Sequence, residues 1–503
     1  MWLHQWYASW RRRMARASRA SNGPGATTGA LAHPARRSGP RLGVRLRLEQ
    51  LEDRTLPSNF FALTVSDLIA DINAANKAGG SNTITLTAPT SSPYVLTAVD
   101  NTSDGPTGLP VIAHKDSLTI IGNGDTIERS AASGTPAFRL FDVASSAALT
   151  LNNLTLQNGL AFGSGSSADG GAVYSQGNLT LSGVTAQNNE ALGSSGAAGT
   201  SYQVNGQPGA DAAGGGVWSN GSLTLQGNTT LENNLAAGGN GGAASCNKKG
   251  GGTGGSGGNG YGGGLYVAGG TANISNTSLS HSTAQGGLGG SAGCSSAAGR
   301  NGDGTAGGLD VAAANVTMSN ATVEYNTADF AAGIYIQYAT KGSGQGVLTI
   351  TASTVSSNSA TINGGGIYNV GTLTVSNSTV SSNSAGGYGG GIANNTNATL
   401  TVSGTTVSGN SASYDGAGID DTGISMLLSN DIIQANTGSG VNMIVGVGST
   451  ATFCNDTVEN NTGTGIEGAA SQVYIDQFTV DHTINNGGGI NIFPGSGYTL
   501  QNC

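Results

Sequence analysis

The chain has 503 residues, of which 86 are glycine, about 17% against a usual ~7%, and only 9% are charged against a usual ~25%. With 11 prolines and no strict third-position glycine it is not collagen; its wealth of Val, Ile and Thr excludes charge-driven disorder; its dominance by Gly, Ser, Thr and Asn excludes a helical bundle. The formal charge of −9 divides unevenly: residues 1–58 hold 11 arginines and three acids, whereas the rest holds eight Lys and Arg against 25 Asp and Glu, a net of −17. So acidic a body has no clustered cations for phosphates, and no nucleic-acid partner is expected. No run approaches 18 apolar residues, so no transmembrane span is expected, and a secretory apolar segment is also missing. Residues 1–58, rich in Arg, Ser, Ala and Gly, read as a disordered basic export or targeting leader.

The leader ends in Leu48-Glu49-Gln50-Leu51-Glu52-Asp53-Arg54-Thr55-Leu56-Pro57-Ser58. This segment resembles the N-terminal motif of planctomycete extracellular proteins, and the resemblance implies export from the cytoplasm. Next, residues 66–77 place Leu68, Ile69 and Ile72 on one helical face, with Ser66 as N-cap and Gly79 as stop. This helix is expected to cap a stacked array, with residues 59–130 forming the cap and the first irregular coils.

From residue 131 to 503 one repeat recurs, clearest in 364–385 (GGGIYNVGTLTVSNSTVSSNSA) and 389–412 (GGGIANNTNATLTVSGTTVSGNSA). The apolar residue after the glycines falls at Val173, Val217, Leu265, Leu309, Ile334, Ile367, Ile392, Ile419, Val441, Ile466 and Ile490. Within a copy the pattern alternates, as in Leu373-Thr374-Val375-Ser376, so each copy reads as three short strands between turns. One copy cannot close a core, but stacked copies can, by pairing backbones at ~4.8 Å and aligning Leu, Val and Ile inward. The expected fold is all-β, a right-handed parallel β-helix of about 12–13 coils.

The last Asn of each coil aligns at Asn189, Asn234, Asn326, Asn358, Asn383, Asn410, Asn436 and Asn461, with Ser282 as the exception. An Asn at such a corner can tolerate the left-handed conformation and bond its amide to the next, and these residues are expected to form a structural ladder. Three coils carry Gly/Ser/Ala-rich insertions at about 193–213, 240–260 and 288–305, expected to project side by side. Two of them place Cys246 and Cys294 at matching points, a disulfide candidate in an exported protein; Cys454 and Cys503 lie two coils apart, their pairing open.

Gly170-Gly171-Ala172-Val173 and Gly364-Gly365-Gly366-Ile367, with the spacings Val355…Asn358 and Val380…Asn383 as a second half, resemble the repeats of polymorphic outer membrane proteins, with Val or Ile where that family has Phe. The resemblance covers roughly 160–503 and implies a surface-exposed β-helix, with adhesion as one known use.

Chemistry is harder to place. Cleavage of acidic polysaccharides needs acids together with a cation facing the substrate, and beyond residue 130 only Arg139, Lys248, Lys249, Arg300 and Lys341 are cationic. If the chain is an enzyme, the candidates are the pair Asp420 and Asp421, and Asp481 with His482. Asn301-Gly302-Asp303-Gly304 with Asp310 are the residues a weak calcium loop would use; the five histidines show no metal-ligand spacing, so no other metal and no cofactor is expected. The reading is therefore an exported, extracellular or surface β-helix with a structural or adhesive role, meeting a surface or extracellular polysaccharide or protein. The alternative is a carbohydrate-active β-helix acting on acidic polysaccharide.

Overall fold

The computed structural model describes residues 58–503 apart from 164–167, 249, 295, 339–343, 445–448, 470–471, 477–478, 482–489, 493–496 and 502–503. The leader, its motif up to Pro57, and the candidate His482 thus lie outside the described residues. Strands follow one another into three large parallel sheets, and the sheet of 13 strands runs in strict chain order from Tyr94–Leu96 to Thr479–Asp481. This is a right-handed parallel β-helix. The register joins like to like: Leu373 pairs with Leu400 and Val375 with Val402, while Thr379 pairs with Thr406. Alternation sends Leu373, Val375 and Val380 into one continuous core and leaves the Thr and Ser between them on the surface.

The helix spans Val65–Ala78 and buries Leu68, Ile72 and Ala75 against that core. Its N-cap is Thr64, not Ser66: Thr64 accepts from the Asp67 amide and Asp67 accepts from the Thr64 amide, a reciprocal box that Ser66, two residues later and already inside the helix, cannot make. Strand Ser58–Ala62 precedes it and pairs with Ser81–Leu86, so the helix bridges the first two rungs.

The Asn ladder runs through the buried interior. Asn383 Nδ2 donates to Asn410 Oδ1 at 3.0 Å and to the Val355 carbonyl at 3.0 Å, and the pattern repeats from coil to coil. Ser282 completes its rung with less: Asn234 N donates to its Oγ at 3.2 Å, and its own amide donates to Asn326 Oδ1 at 2.9 Å. The left-handed residue is the one before each ladder position, as at Asn188, Asn233, His281, Tyr325, Ser357, Ser382 and Asn460, all with φ between 52° and 56°. The turn is made one residue early so that the ladder side chain itself can face inward.

The three insertions form an ordered slab. Each is a hairpin with two extended legs, and the hydrogen bonds between legs recur every third residue: Gly196 and Gly199 donate to Asn240 and Ala243, and Gly254 and Gly257 to Ala297 and Arg300. A second set crosses between outgoing and returning legs, as Gly255 to Gly242 at 2.9 Å and Gly258 to Gly239 at 2.8 Å. The three-residue period is that of a polyproline-II helix, which leaves all its backbone groups for neighbours. The middle hairpin, with neighbours on both sides, has two glycines in every three along 251–258. A Cβ on Gly254 or Gly255 would stand 1.9 Å from a carbonyl oxygen of one neighbour or the other.

The tips of the second and third hairpins are joined by the Cys246–Cys294 disulfide, 48 residues apart. Reduction is expected to cost the slab about 2 kcal/mol, the low end for such a loop because the legs are already bonded to each other. Hydrogen exchange with and without reductant checks this: faster exchange is expected across 240–258 and 286–303, with the coils unchanged.

Candidate functional site

In each coil the residue after the apolar anchor points outward, and the register stacks these positions into one rank. From the N-terminal side it reads Asp142, Tyr174, Trp218, Tyr266, Asp310, Tyr335, Tyr368, Ala393 and Asp420. A second rank runs beside it across the glycine corner: Asp169, Ala213, Tyr261, Thr305 and Phe330. The corner is built from left-handed glycines such as Gly214 (φ 63°), whose Cβ would meet the Val217 carbonyl oxygen at 2.4 Å. With nothing but backbone at the corner, the two ranks become the walls of a groove along the helix axis, flanked by the base of the slab.

The groove deepens where Ala213 offers only a methyl group on the same coil as Trp218. There a cleft of about 330 Å³ is lined by Asp169, Asp211, Ala213, Trp218, Tyr261, Tyr266, Ala268 and Gln337. Tyr174 stacks on Trp218 with centroids 4.5 Å apart and planes at 17°, and Tyr261 leans on Tyr266 at 6.0 Å and 53°. Arg139 lies 4.8 Å from the Tyr174 ring centroid and donates to the Asp104 carbonyl at 2.7 Å.

Burial dominates the electrostatics. It pushes Asp169 up to about 6, against the opposing pull of Arg139 and with a small further push from Asp211. Asp310, fully buried, is pushed up to about 8, although it accepts from Gln337 Nε2 at 2.8 Å and Thr305 Oγ1 at 3.2 Å. Burial and neighbouring Asp310 also raise the Tyr266 phenol. Farther along, in the corner stack that includes Thr405, Asp431 is pushed up to about 7 and Asp456 to about 6, each by burial. In each of these carboxyls the folded chain holds its proton more tightly than the unfolded chain. That stability is complete below a pH of about 4 and is lost as pH rises through about 6, 7 and 8. The melting temperature is expected to fall between pH 5 and 9, measured by circular dichroism, and Asp310→Asn should flatten the upper part of the profile. A profile that rises with pH would contradict these assignments.

The catalytic candidates do not converge. Asp420 and Asp421 are neighbours on strand Ile419–Asp421 and so face opposite sides. Asp420 joins the outward rank, accepts from Asn442 Nδ2 at 2.8 Å and is raised to about 6 by burial. Asp421 points inward, where it accepts from Asn394 Nδ2 at 2.6 Å and from the Gly423 amide at 3.1 Å. They are not a carboxylate pair. Asp481, of which only the backbone is described, ends a strand of the 13-stranded sheet and pairs with Glu459, away from Asp420. The proposed calcium residues are spread apart: Asn301 Oδ1 accepts from Gly289 in the slab while Asp310 lies in the groove. Among the described residues no group of three or more His, Cys, Asp or Glu is placed to hold a metal, and no helix is long and apolar enough to cross a membrane. The aromatic rank is not marked by the repeat pattern itself; its signal is the residue directly after each apolar anchor.

No protein-family model matches the sequence, and no curated protein sequence does. Among solved structures, the A-module of the Azotobacter vinelandii mannuronan C-5 epimerase AlgE4 is 12% identical, covering 86% of this chain and 95% of its own, with a TM-score of 0.43. The A-module of AlgE6 from the same organism is 13% identical over 86% and 95%, with a TM-score of 0.35. PfbA, a surface adhesin of Streptococcus pneumoniae, is 9% identical over 87% and 93%, with a TM-score of 0.25. The likeness is one of fold alone.

Proposed function

We propose that this chain is an exported β-helix that serves as a binding scaffold, its groove holding an extracellular or cell-surface polysaccharide. The observation that carries this is the convergence of Trp218, Tyr261 and Tyr266 with Asp169 and Asp211 around one open cleft. Apolar ring faces with a few oriented polar groups suit the alternating faces and hydroxyls of a sugar chain. Three features support export: the disulfide, which needs an oxidising compartment, the Arg-rich segment 1–58 with its LEDR-type motif, and the surface-repeat pattern at Gly170-Gly171-Ala172-Val173. In this organisation 1–58 is the leader, 59–130 the cap and first coils, and 131–503 the binding body.

Binding without turnover is the reading the acids favour, because Asp420 and Asp421 face apart and Asp310 is sealed beneath Thr305 and Gln337. Affinity electrophoresis of the full chain in gels containing neutral, amino and uronic-acid polysaccharides tests it. Retardation without release of reducing ends or unsaturated products is expected. Turnover of polygalacturonate or alginate that disappears on replacing Asp420 or Asp481 would overturn it in favour of a carbohydrate-active enzyme.

A further inference from the structure

We infer that the cleft between Trp218 and Tyr266 is a cage for an organic ammonium group, so that the ligand is a glycan or surface polymer bearing alkylammonium. This rests on the groove being a binding site and names the group it recognises. Tyr174 covers one face of the Trp218 indole, at 4.5 Å and 17°, and the cleft opens on the side towards Tyr266. Tyr266 and Tyr261 meet at 53° and present two further rings to the same space, with Asp169 and Asp211 beside them. Ring faces attract a cation within about 6 Å of their centroids, and Asp169 and Asp211 add negative charge, that of Asp169 partly offset by Arg139. The same rank already seats one cation this way: the Arg139 guanidinium lies 4.8 Å from the Tyr174 centroid.

The chemistry separates the alternatives. Ring faces offer no lone pairs, and the cleft brings together only two carboxylates; among the described residues no group of three or more His, Cys, Asp or Glu is placed to hold a small inorganic cation. A uronic acid would bring its own charge against Asp169 and Asp211. A volume of about 330 Å³ is at the lower end for ligand pockets and takes one sugar ring or one quaternary ammonium headgroup. Two sources supply this chemistry, a polymer of unacetylated amino sugar and a choline-type headgroup.

The experiment is calorimetric titration of the full chain with three probes: choline, a glucosamine hexamer, and the N-acetylglucosamine hexamer, which has the same backbone without the charge. Trp218 fluorescence is followed in parallel; the other three tryptophans, Trp2, Trp6 and Trp10, lie far from it in sequence. At least one ammonium probe is expected to bind and to perturb Trp218, with the glucosamine hexamer at least tenfold tighter than its acetylated counterpart if the source is a glycan. Asp169→Asn combined with Asp211→Asn, which keeps shape and removes charge, should abolish the preference. Choline binding alone assigns a headgroup and leaves the cage standing while the polysaccharide reading falls. Equal binding of both hexamers, or full ammonium binding by the double variant, overturns the cage and leaves the polysaccharide reading intact. Silence from all three probes overturns the cage, and the polysaccharide gels then decide the groove separately.

Discussion

Replacing Asn383 by alanine is expected to destabilise the protein by about 3–4 kcal/mol, read as a shift in the urea midpoint. Its side chain makes four bonds at 2.9–3.0 Å: Oδ1 accepts from the amide and the Nδ2 of Asn358, and Nδ2 donates to Val355 O and Asn410 Oδ1. All these groups are buried, so alanine strands donors above and acceptors below where water cannot replace the partner, at about 1–3 kcal/mol for each group left wholly unsatisfied. The estimate is below the full sum because a ladder can relax by sliding its amides. Asn383→Ser should cost about half as much, since Ser282 shows that one hydroxyl can hold a rung. Ser384→Ala, exposed and next in sequence, should stay within about 0.5 kcal/mol. A loss under 1 kcal/mol for Asn383→Ala would mean that the ladder is not a principal support.

The second large effect is expected at Gly255. A methyl group there would stand 1.9 Å from the Gln207 carbonyl oxygen and 2.4 Å from its carbon, both in backbone that is itself bonded on its other sides. No rotamer change relieves this, so the returning legs must separate by more than 1 Å, and Gly255→Ala should cost about 3 kcal/mol or more, concentrated in the slab. Hydrogen exchange should show 204–211, 239–258 and 286–302 losing protection together. Ser256→Ala, with its side chain exposed, should leave them unchanged. Because Asp211 stands at the root of the first hairpin's returning leg, which carries Gln207, the glycine variant should also weaken ligand binding in the cleft.

Much of this architecture was legible in the repeat. The coil spacing located the Asn ladder and the step of 48 between Val217 and Leu265 matches the separation of Cys246 and Cys294. Position along a coil is a one-dimensional property, and periodicity reports it well. Which neighbour turns, and which face a residue takes, is local backbone geometry. Thus the left-handed residue is Ser382 rather than Asn383, and Asp420 and Asp421 look like a pair until strand alternation parts them. The groove was hidden for a different reason. One wall comes from the residue after each apolar anchor, as Trp218, and the other from the strand that leads into each glycine corner, as Asp169, or from the ends of insertions of unequal length, as Asp211 and Tyr261. Only the concave glycine corner brings them together, and no spacing rule in the sequence expresses that concavity. The slab shows its period in every third glycine, but its order depends on six legs meeting in space.

The proposed binding function depends on the groove at Ala213. The most direct measurement compares wild type with Ala213→Leu, which fills the cleft beside Trp218, for binding to the same panel of immobilised neutral, amino and uronic-acid glycans. Ala213 borders the open cleft, so the larger side chain has room and the melting temperature is expected to move by less than about 3 °C. Wild type should bind at least one glycan, and the filled variant should bind it at least tenfold more weakly. Binding that survives filling of the cleft, or a wild-type protein that binds none of the panel, would contradict the account.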